Sequence, residues 1–162
     1  MKIKSIINDD IYLSEYISLC NLEWGNIKDN IDEYIIEKKQ QIKNGTKVIE
    51  VLALISEKEM IGFISLFNYD GSERKDLSPW YSTMYVKNKY RGKGYSKILN
   101  NALLEYAKDN NYKKVYLKSN LKNYYEKYGA KYIETLSNGE CLFYIDIVWF
   151  DKIEFFLYNV IH

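Results

Sequence analysis

The sequence predicts an α+β domain built on a mostly antiparallel central sheet with flanking helices. Short runs rich in β-branched and aromatic residues alternate with longer segments whose apolar residues recur at helical spacing, in the order β-α-α-β-β-β-α-β-α-β-β. The chain has 162 residues, of which 47% are hydrophobic, so it is long enough for one sizeable core. No linker is visible, and we expect one domain over residues 1–150 and a short extension over 151–162.

The first part of the chain predicts one strand and two helices. Residues 2–7 have the composition of a short strand, and residues 11–22 have the spacing of a helix that Asp9 or Asp10 would cap. A second helix is predicted over residues 31–43. Its end is predicted by the Asn-Gly pair that follows, because such pairs often end helices.

The middle of the chain predicts a hairpin and a third strand. Residues 48–56 and 60–68 are rich in β-branched and aromatic residues and are separated by three polar ones. Gly62, inside the second of these runs, indicates a bulge or the close approach of another backbone. A polar loop over residues 68–78 leads to a strand over residues 80–87.

A long amphipathic helix follows this strand and ends near residue 109. The apolar side chains at helical spacing, which we expect to be buried, are those of Ile98, Leu99, Ala102, Leu103, Tyr106 and Ala107. The polar side chains that we expect to be exposed are those of Asn100, Asn101, Glu105 and Lys108.

The remaining elements are a strand, a short helix and a hairpin. The strand is predicted over residues 114–118, and the helix over residues 121–128 is closed by Gly129. Residues 131–136 and 140–150 form the hairpin, which turns at Ser-Asn-Gly.

The extension over residues 151–162 is apolar but too short, and too interrupted by charges, to span a membrane. We expect it to pack on the core or on a partner subunit of a possible homodimer. The first residues lack the apolar run of a signal peptide, so a cytoplasmic location is predicted.

Charge and histidine content exclude several classes of function. A formal net charge of +1 argues against a nucleic-acid-binding protein. The only histidine is His162, the last residue, so catalytic triads, Cys-His nucleophiles and histidine-based zinc sites are excluded, since each needs a rigidly held imidazole. Cys20 and Cys141 lack metal-ligand spacing, and we expect no metal. Catalysis must then depend on carboxylates, tyrosines, backbone donors or bound water.

The most informative segment is 84–97, where a strand ends in a basic turn with two glycines that begins the long helix. Glycines let ligand oxygens approach backbone N–H groups, and a helix N-terminus has unpaired donors and a partial positive charge. The segment therefore predicts a diphosphate site. It is not a dinucleotide fingerprint, which requires glycine at the position of Lys97, and it lacks the Gly-Lys-Ser/Thr end of a P-loop.

The sequence of this turn, Arg-Gly-Lys-Gly-Tyr-Ser over residues 91–96, resembles the acetyl-CoA loop of the GNAT superfamily of N-acetyltransferases. It departs from the family pattern, Arg/Gln-x-x-Gly-x-Gly/Ala, only at Ser96. A second resemblance is Tyr-Tyr-Glu-Lys-Tyr-Gly over residues 124–129, with Ala130 where a large aromatic residue is usual. Residues 76–80 and 22–24 are similar to a small-molecule branch of the superfamily.

The resemblance implies a GNAT fold, in which the strand before the loop and the strand after the long helix run parallel and splay apart. Pantetheine then binds the unpaired backbone groups as an added strand. The binding strand would be Met84, Tyr85 and Val86, and the diphosphate cradle would be Arg91, Gly92, Lys93, Gly94, Tyr95, Ser96 and Lys97. Asn120 or Asn123 would bond to the pantetheine amides, unless Asn120 simply caps the short helix.

The implied reaction is direct transfer of an acetyl group from acetyl-CoA, as cosubstrate, to a small amine. A backbone N–H of Tyr85 or Val86 would polarise the thioester carbonyl. The resemblance places Tyr125 where the family's general acid stands, although Tyr125 also belongs to an apolar stripe that would pack in the core.

Four carboxylates are candidates for the general base: Glu23, Asp70, Glu73 and Asp76. Glu23 and Asp76 are preferred because they adjoin Trp24 and residues 77–80, which we expect on the acceptor side. Carboxylates beside aromatic rings favour a cationic amine. Two alternatives are a non-catalytic acyl-CoA-binding or sensing domain of the same fold and a small interaction protein that binds no CoA.

Overall fold

A computed structural model describes residues 1–25, 30–121 and 123–147, which form a seven-stranded mixed sheet with helices on both faces. The fold is α+β with a mostly antiparallel sheet, as predicted. The strands and helices are β1 (Lys2–Ser5), α1 (Asp10–Trp24), α2 (Ile31–Asn44), β2 (Val48–Ser56), β3 (Glu59–Phe67), β4 (Trp80–Val86), α3 (Tyr95–Asp109), β5 (Lys114–Ser119), β6 (Lys131–Thr135) and β7 (Cys141–Asp146). Single 3₁₀ turns occur at Asn88–Tyr90 and Glu126–Tyr128.

The strand order is β1-β2-β3-β4-β5-β7-β6, and all neighbours are antiparallel except β4 and β5. These two central strands run parallel and are paired at one described position, Trp80 with Tyr116. The Tyr116 N–H also donates to the Pro79 carbonyl oxygen at 2.9 Å. Beyond this point the strands separate, which confirms the predicted splay.

Among the described residues, the sheet separates two large hydrophobic cores, and a smaller third cluster consists of Phe67, Trp80, Leu136 and Leu142. In β2, Val51, Ala53 and Ile55 pack against α1, whereas Leu52 and Leu54 pack in the core that contains α3. This alternation follows from the two-residue period of a strand, and it explains why β2 is apolar nearly throughout.

Local signals fix the ends of the helices. Asp9 caps α1, because its carboxylate accepts a hydrogen bond from the Tyr12 N–H at 3.2 Å. Gly45 follows the last residue of α2.

A Cβ atom at Gly62 would overlap the Tyr85 carbonyl oxygen, so this glycine allows the close approach of β3 and β4.

The predicted buried face of α3 is partly wrong. The buried residues are Leu99, Asn100, Leu103, Leu104 and Ala107, whereas Ile98 is 41% exposed and Ala102 and Tyr106 are only half-buried. The apolar pattern contains a central stripe that includes Leu99 and Leu103, with one further stripe on either side. Rotation of the helix against the sheet decides which of the outer stripes is covered, and the spacing does not determine this rotation.

The predicted helix over residues 121–128 is also shorter than expected. Asn123 has a φ of +57°, which interrupts a right-handed helix, and only Glu126–Tyr128 is helical. Gly129 closes this turn with a φ of +87°, as predicted.

The last predicted strand is observed over Cys141–Asp146. Residue 122, the proposed end of that strand at residues 148–150 and the extension over residues 151–162 lie outside the described residues. Within the described ranges, no helix is long and apolar enough to cross a membrane.

Candidate active site

A groove crosses the molecule where β4 and β5 separate. It consists of two adjoining cavities of about 390 and 490 Å³. Four of the described residues line both cavities and mark where they join: Trp24, Met84, Leu121 and Tyr125. One end of the groove reaches the glycine turn before α3, and the other reaches Asp70 and Glu140.

The glycine turn is open to a ligand. Gly92 and Gly94 have φ values of +76° and +80°, and a Cβ atom at either position would meet no atom of a described residue within 4 Å. Among the described residues, the N–H groups from Gly92 to Ser96 make no hydrogen bond, whereas the Lys97 N–H donates to the Gly94 carbonyl oxygen. Unpaired donors at the start of a 15-residue helix form a suitable anion site.

Ion pairs hold the strand end before this turn against neighbouring elements. The Lys87 ammonium lies 2.6 Å from the Glu15 carboxylate of α1. Glu59 of β3 binds the Lys89 ammonium at 2.6 Å and accepts a hydrogen bond from the Tyr90 hydroxyl at 2.6 Å. The bond from Lys89, followed by that from Tyr90, lowers the pKa of Glu59 to about 2. The turn is therefore fixed before any ligand binds.

The basic residues of the turn have different positions. The Arg91 Nε donates to the Val86 carbonyl oxygen at 2.9 Å, and its guanidinium lies 5.6 Å from the centre of the Tyr85 ring. Arg91 lines the groove, as do Gly92, Gly94, Tyr95 and Ser96. Lys93 and Lys97 are exposed and do not line it.

Strand β4 carries a β-bulge at Thr83 and Met84, which together lie opposite one residue of β3. Thr83 has a φ of +42°, a left-handed conformation that is rare for a β-branched residue. Beyond the bulge, the Lys87 N–H donates to the Ile61 carbonyl oxygen of β3 at 3.0 Å. Because consecutive N–H groups of a strand point to opposite edges, the Val86 N–H points away from β3 and into the groove.

Tyr125 lies where the two cavities join. Its ring makes edge contacts with Tyr81 and Tyr124, at centroid distances of 5.8 and 4.9 Å. Its hydroxyl forms no hydrogen bond with any described residue. Burial, reinforced by Tyr124 and Tyr128, raises the pKa of Tyr125 to about 12. At neutral pH the hydroxyl is therefore protonated and available to a ligand in the groove.

Two of the four candidate bases line the groove. Glu23 lies in the half with the glycine turn, next to Trp24, whose ring is 6.2 Å from that of Tyr85. Asp70 lies in the other half, where it accepts a hydrogen bond from the Ser82 hydroxyl at 3.3 Å.

The other two candidates are held elsewhere. The Asp76 carboxylate binds the Arg74 guanidinium at 2.8 and 3.0 Å, which lowers the pKa of Asp76, and the same Arg74 also binds Glu134 of β6. Glu73 accepts hydrogen bonds from the backbone N–H and the hydroxyl of Ser137, in the turn after β6. The structure therefore does not bring Asp76 to the groove, because Arg74 ties it to the β6 edge.

Residues 77–80 also differ from the expectation that they line the acceptor side. Trp80 is 1% exposed, and its indole N–H donates to the Leu77 carbonyl oxygen at 2.8 Å. Of the two asparagines, Asn120 lines the groove. Asn123 is exposed in the turn just before the 124–129 motif and does not line the groove.

Sequence reasoning missed several residues of the groove. Lys118 of β5 lies 3.8 Å from the Asp70 carboxylate and 3.9 Å from that of Glu140. Tyr81 is buried beneath Tyr125, with its hydroxyl donating to the Met84 sulfur at 3.2 Å. No motif indicates these residues, because they meet only through the pairing of distant strands.

A third cavity, of about 830 Å³, lies between helices α1 and α2 and the sheet, and Thr83 lines both this cavity and the groove.

Among the described residues, no group of three His, Cys, Asp or Glu side chains could hold a metal ion.

Comparison with known proteins identifies the family to which the split sheet and the open turn before α3 belong. The model of the acetyltransferase (GNAT) family matches residues 15–130. No curated protein matches the chain by sequence.

Three solved structures illustrate the likeness in fold. The aminoglycoside 6'-N-acetyltransferase from Enterococcus faecium is 18% identical with a TM-score of 0.66, covering 91% of this chain and 97% of that one. The spermidine/spermine N-acetyltransferase SpeG from Vibrio cholerae, solved in mutant forms, is 18% identical with a TM-score of 0.67, covering 91% and 95%. The paiA N-acetyltransferase from Thermoplasma acidophilum, in complex with coenzyme A, is 20% identical with a TM-score of 0.56, covering 90% and 99%.

The family match extends over most of the chain and includes the glycine turn, β4 and Tyr125. The chain belongs to the acetyltransferase (GNAT) family and is an N-acetyltransferase.

Proposed function

We propose that the protein transfers the acetyl group of acetyl-CoA directly to a small cationic amine, with Tyr125 as the general acid. One observation carries this proposal: one groove joins the N–H groups of the glycine turn to the hydroxyl of Tyr125, and none of these groups has a hydrogen-bond partner among the described residues. A ligand with an anionic end and a reactive thioester end fits such a groove.

The turn supports the binding of the CoA diphosphate. The N–H groups of Gly92 to Ser96 and the N-terminus of α3 would receive the phosphate oxygens, and the Arg91 side chain adds positive charge. Pantetheine would run along Met84, Tyr85 and Val86, whose edge is not paired with β5 in the described part of the chain. This is the arrangement of an added strand.

The Val86 N–H supports polarisation of the thioester. Attack by the amine would turn the carbonyl oxygen into an oxyanion, which a donor fixed in advance stabilises without reorganisation. Val86 is preferred to Tyr85 for this role, because the bond from Lys87 to Ile61 sets the direction of the strand's N–H groups.

The Tyr125 hydroxyl would protonate the departing thiolate. A pKa of about 12 makes this phenol a weaker acid than the reference value suggests. The reference pKa of a thiol is about 8.5, but burial in the same groove raises it as well, so the two values move in the same direction. Proton transfer would accompany cleavage of the C–S bond, when the thiolate is forming in a water-poor site.

The charges of the groove favour a cationic acceptor. Asp70 and Glu140 both face the ammonium of Lys118, at 3.8 and 3.9 Å, so among the described charged residues that line this half of the groove one negative charge is in excess. Glu23 adds a further carboxylate beside the half-exposed indole of Trp24. Carboxylates attract an ammonium group, and an indole face binds it through cation–π contact.

For deprotonation of the attacking amine we propose Glu23, acting directly or through water. Glu23 lines the same cavity as Val86 and Tyr125, where the thioester would lie. Asp70 would instead bind the far end of the acceptor, because it lines only the other cavity. Asp76 is not assigned a role, since Arg74 holds it outside the groove.

Release of CoA thiol with a panel of amines, together with mass spectrometry of the products, tests this function. We expect thiol release and an acetylated product with small cationic amines. Tight binding of acetyl-CoA without thiol release from any amine would contradict the proposal and favour the acyl-CoA-sensing alternative. Failure to bind acetyl-CoA would contradict both.

A further inference from the structure

Three hydroxyl groups form a chain behind the bulge of β4. The Thr83 hydroxyl donates to the Ser65 Oγ atom at 2.5 Å, and the Ser65 Oγ lies 3.0 Å from the Tyr16 hydroxyl. Ser65 is completely buried and Tyr16 is 4% exposed. The chain therefore connects β4 through β3 to helix α1.

This chain ends at the most unusual backbone position of β4. Thr83 has a φ of +42°, although β-branched residues avoid left-handed conformations. Such conformations persist only where surrounding contacts hold them. Ser65 is a suitable anchor, because its position is fixed by the β3 ladder and by the bond with Tyr16.

The bulge lies where the groove begins. Strand β4 is paired with β5 at Trp80, three residues before Thr83, and no further pairing between these strands follows in the described chain. A bulge bends its strand and increases the local twist. The conformation of Thr83 therefore sets the direction in which Tyr85 and Val86 leave the sheet.

We propose that Tyr16, Ser65 and Thr83 form a positioning device that holds the bulge of β4, so that the Val86 N–H faces the acetyl carbonyl. The inference rests on the proposed function, since it assumes that acetyl-CoA binds in the groove. Tyr16 and Ser65 act through Thr83 and not on the substrate.

Removal of single hydroxyl groups tests the device in steady-state kinetics. Ser65→Ala and Thr83→Val should each lower kcat by about 10-fold or more, because a misdirected donor stabilises the oxyanion poorly. The Kd of CoA should change less than about threefold, because the glycine turn that holds the diphosphate is intact. Thr83→Ser keeps the hydroxyl and should recover most of the rate that Thr83→Val loses.

Ser5→Ala is the matched control. The Ser5 hydroxyl donates to Glu50 at 2.8 Å, so this variant also removes a hydroxyl bond within the sheet, but at the edge strand β1. It should leave kcat unchanged, even if it lowers the melting temperature as much as Ser65→Ala does. A Ser65→Ala protein with a lower melting temperature and an unchanged kcat would overturn the inference.

A second measurement does not depend on turnover. The backbone amide resonance of Val86 is followed by NMR on addition of acetyl-CoA and, separately, of CoA, which lacks only the acetyl group. In the wild-type protein, acetyl-CoA should shift this resonance further than CoA does, and Ser65→Ala should remove the difference while Ser5→Ala keeps it.

These two readouts distinguish the inference from the proposed function. If no amine is acetylated but the Val86 difference depends on Ser65, the device stands and the proposed reaction fails. If amines are acetylated and the Val86 difference is the same in Ser65→Ala, the device is overturned and the reaction stands. The device is also overturned if acetyl-CoA causes no shift at Val86.

Discussion

At the residue scale, the proposed chemistry depends most on Tyr125. Its ring is held by edge contacts with Tyr81 and Tyr124, so its orientation is fixed by packing. Its hydroxyl has no partner among the described residues, and Tyr125 is only partly buried and lines the groove, so a ligand there can reach it. A bound thioester sulfur would provide that partner.

Substitution of Tyr125 by Phe should lower kcat by about 10²-fold or more, because it removes the proton donor and little else. The Kd of acetyl-CoA, measured by calorimetry, should remain nearly constant. Tyr124→Phe is the matched control, since Tyr124 also lines the groove and contacts Tyr125. Equal losses of kcat in the two variants would indicate packing and not acid catalysis.

The pKa of Tyr125 predicts the alkaline behaviour of the enzyme. A value of about 12 keeps the phenol protonated, and thus able to donate, through pH 10. The kcat of the wild-type protein, measured at saturating amine, should therefore not fall between pH 8 and pH 10. An alkaline decrease in this range that Tyr125→Phe abolishes would contradict the raised pKa of Tyr125, whereas a decrease that persists in Tyr125→Phe would arise from another group.

At the scale of elements, the turn between β4 and α3 is held rigidly by its neighbours and leaves space for a ligand in front of its glycines. The Glu59 pairs fix its first half, and Gly94 caps α3 in a left-handed conformation that only glycine adopts without strain. The space where a Cβ atom of Gly94 would lie holds no atom of the described residues, so it is available to a ligand.

Substitution of Gly94 by Val should raise the Kd of acetyl-CoA by at least about tenfold, or about 1.4 kcal/mol. The side chain would occupy the space in front of the unpaired N–H groups. Gly139→Val is the control, because Gly139 has a similar φ of +87° and equally open surroundings, but lies in the β6–β7 turn. Both variants should lose similar stability, and equal Kd values in the two folded proteins would refute the diphosphate site.

Glu59 predicts a specific acid sensitivity of this turn. Its pKa of about 2 is below the reference value of 4.5, so its bonds stabilise the fold fully above pH 4.5 and progressively less as the pH falls toward 2. The melting temperature of Glu59→Gln should therefore lie below that of the wild type at pH 7, and the difference should shrink between pH 5 and pH 3. A difference that is constant over this range would show that the ionised form has no special role.

At the scale of the whole molecule, the sheet separates the two large hydrophobic cores and its central split forms the groove. Most of this architecture is predictable from sequence, because strands such as β2 and β3 and the caps of the helices depend on local spacing and on single residues. The glycine turn and Tyr125 are predictable for the same reason, since each belongs to a contiguous motif.

The remaining features depend on contacts between distant parts of the chain. Asp76 was expected at the acceptor side, but the structure pairs it with Arg74, and no local pattern distinguishes a paired carboxylate from a free one. Lys118 and Glu140 meet across β5 and β7. The bulge at Thr83 likewise depends on Ser65, which lies in another strand.

The most direct test of the central claim compares three amines of equal chain length: 1,4-diaminobutane, butylamine and 4-aminobutanoate. They present the same reactive amine but differ in the charge at the far end, where Asp70 and Glu140 lie. We predict the highest kcat/KM, measured as release of CoA thiol, for 1,4-diaminobutane and the lowest for 4-aminobutanoate. Added salt should reduce the ratio of kcat/KM for 1,4-diaminobutane to that for 4-aminobutanoate, because salt screens the attraction between the carboxylates and the far ammonium group. The highest kcat/KM for 4-aminobutanoate, or no thiol release with any of the three, would contradict the account.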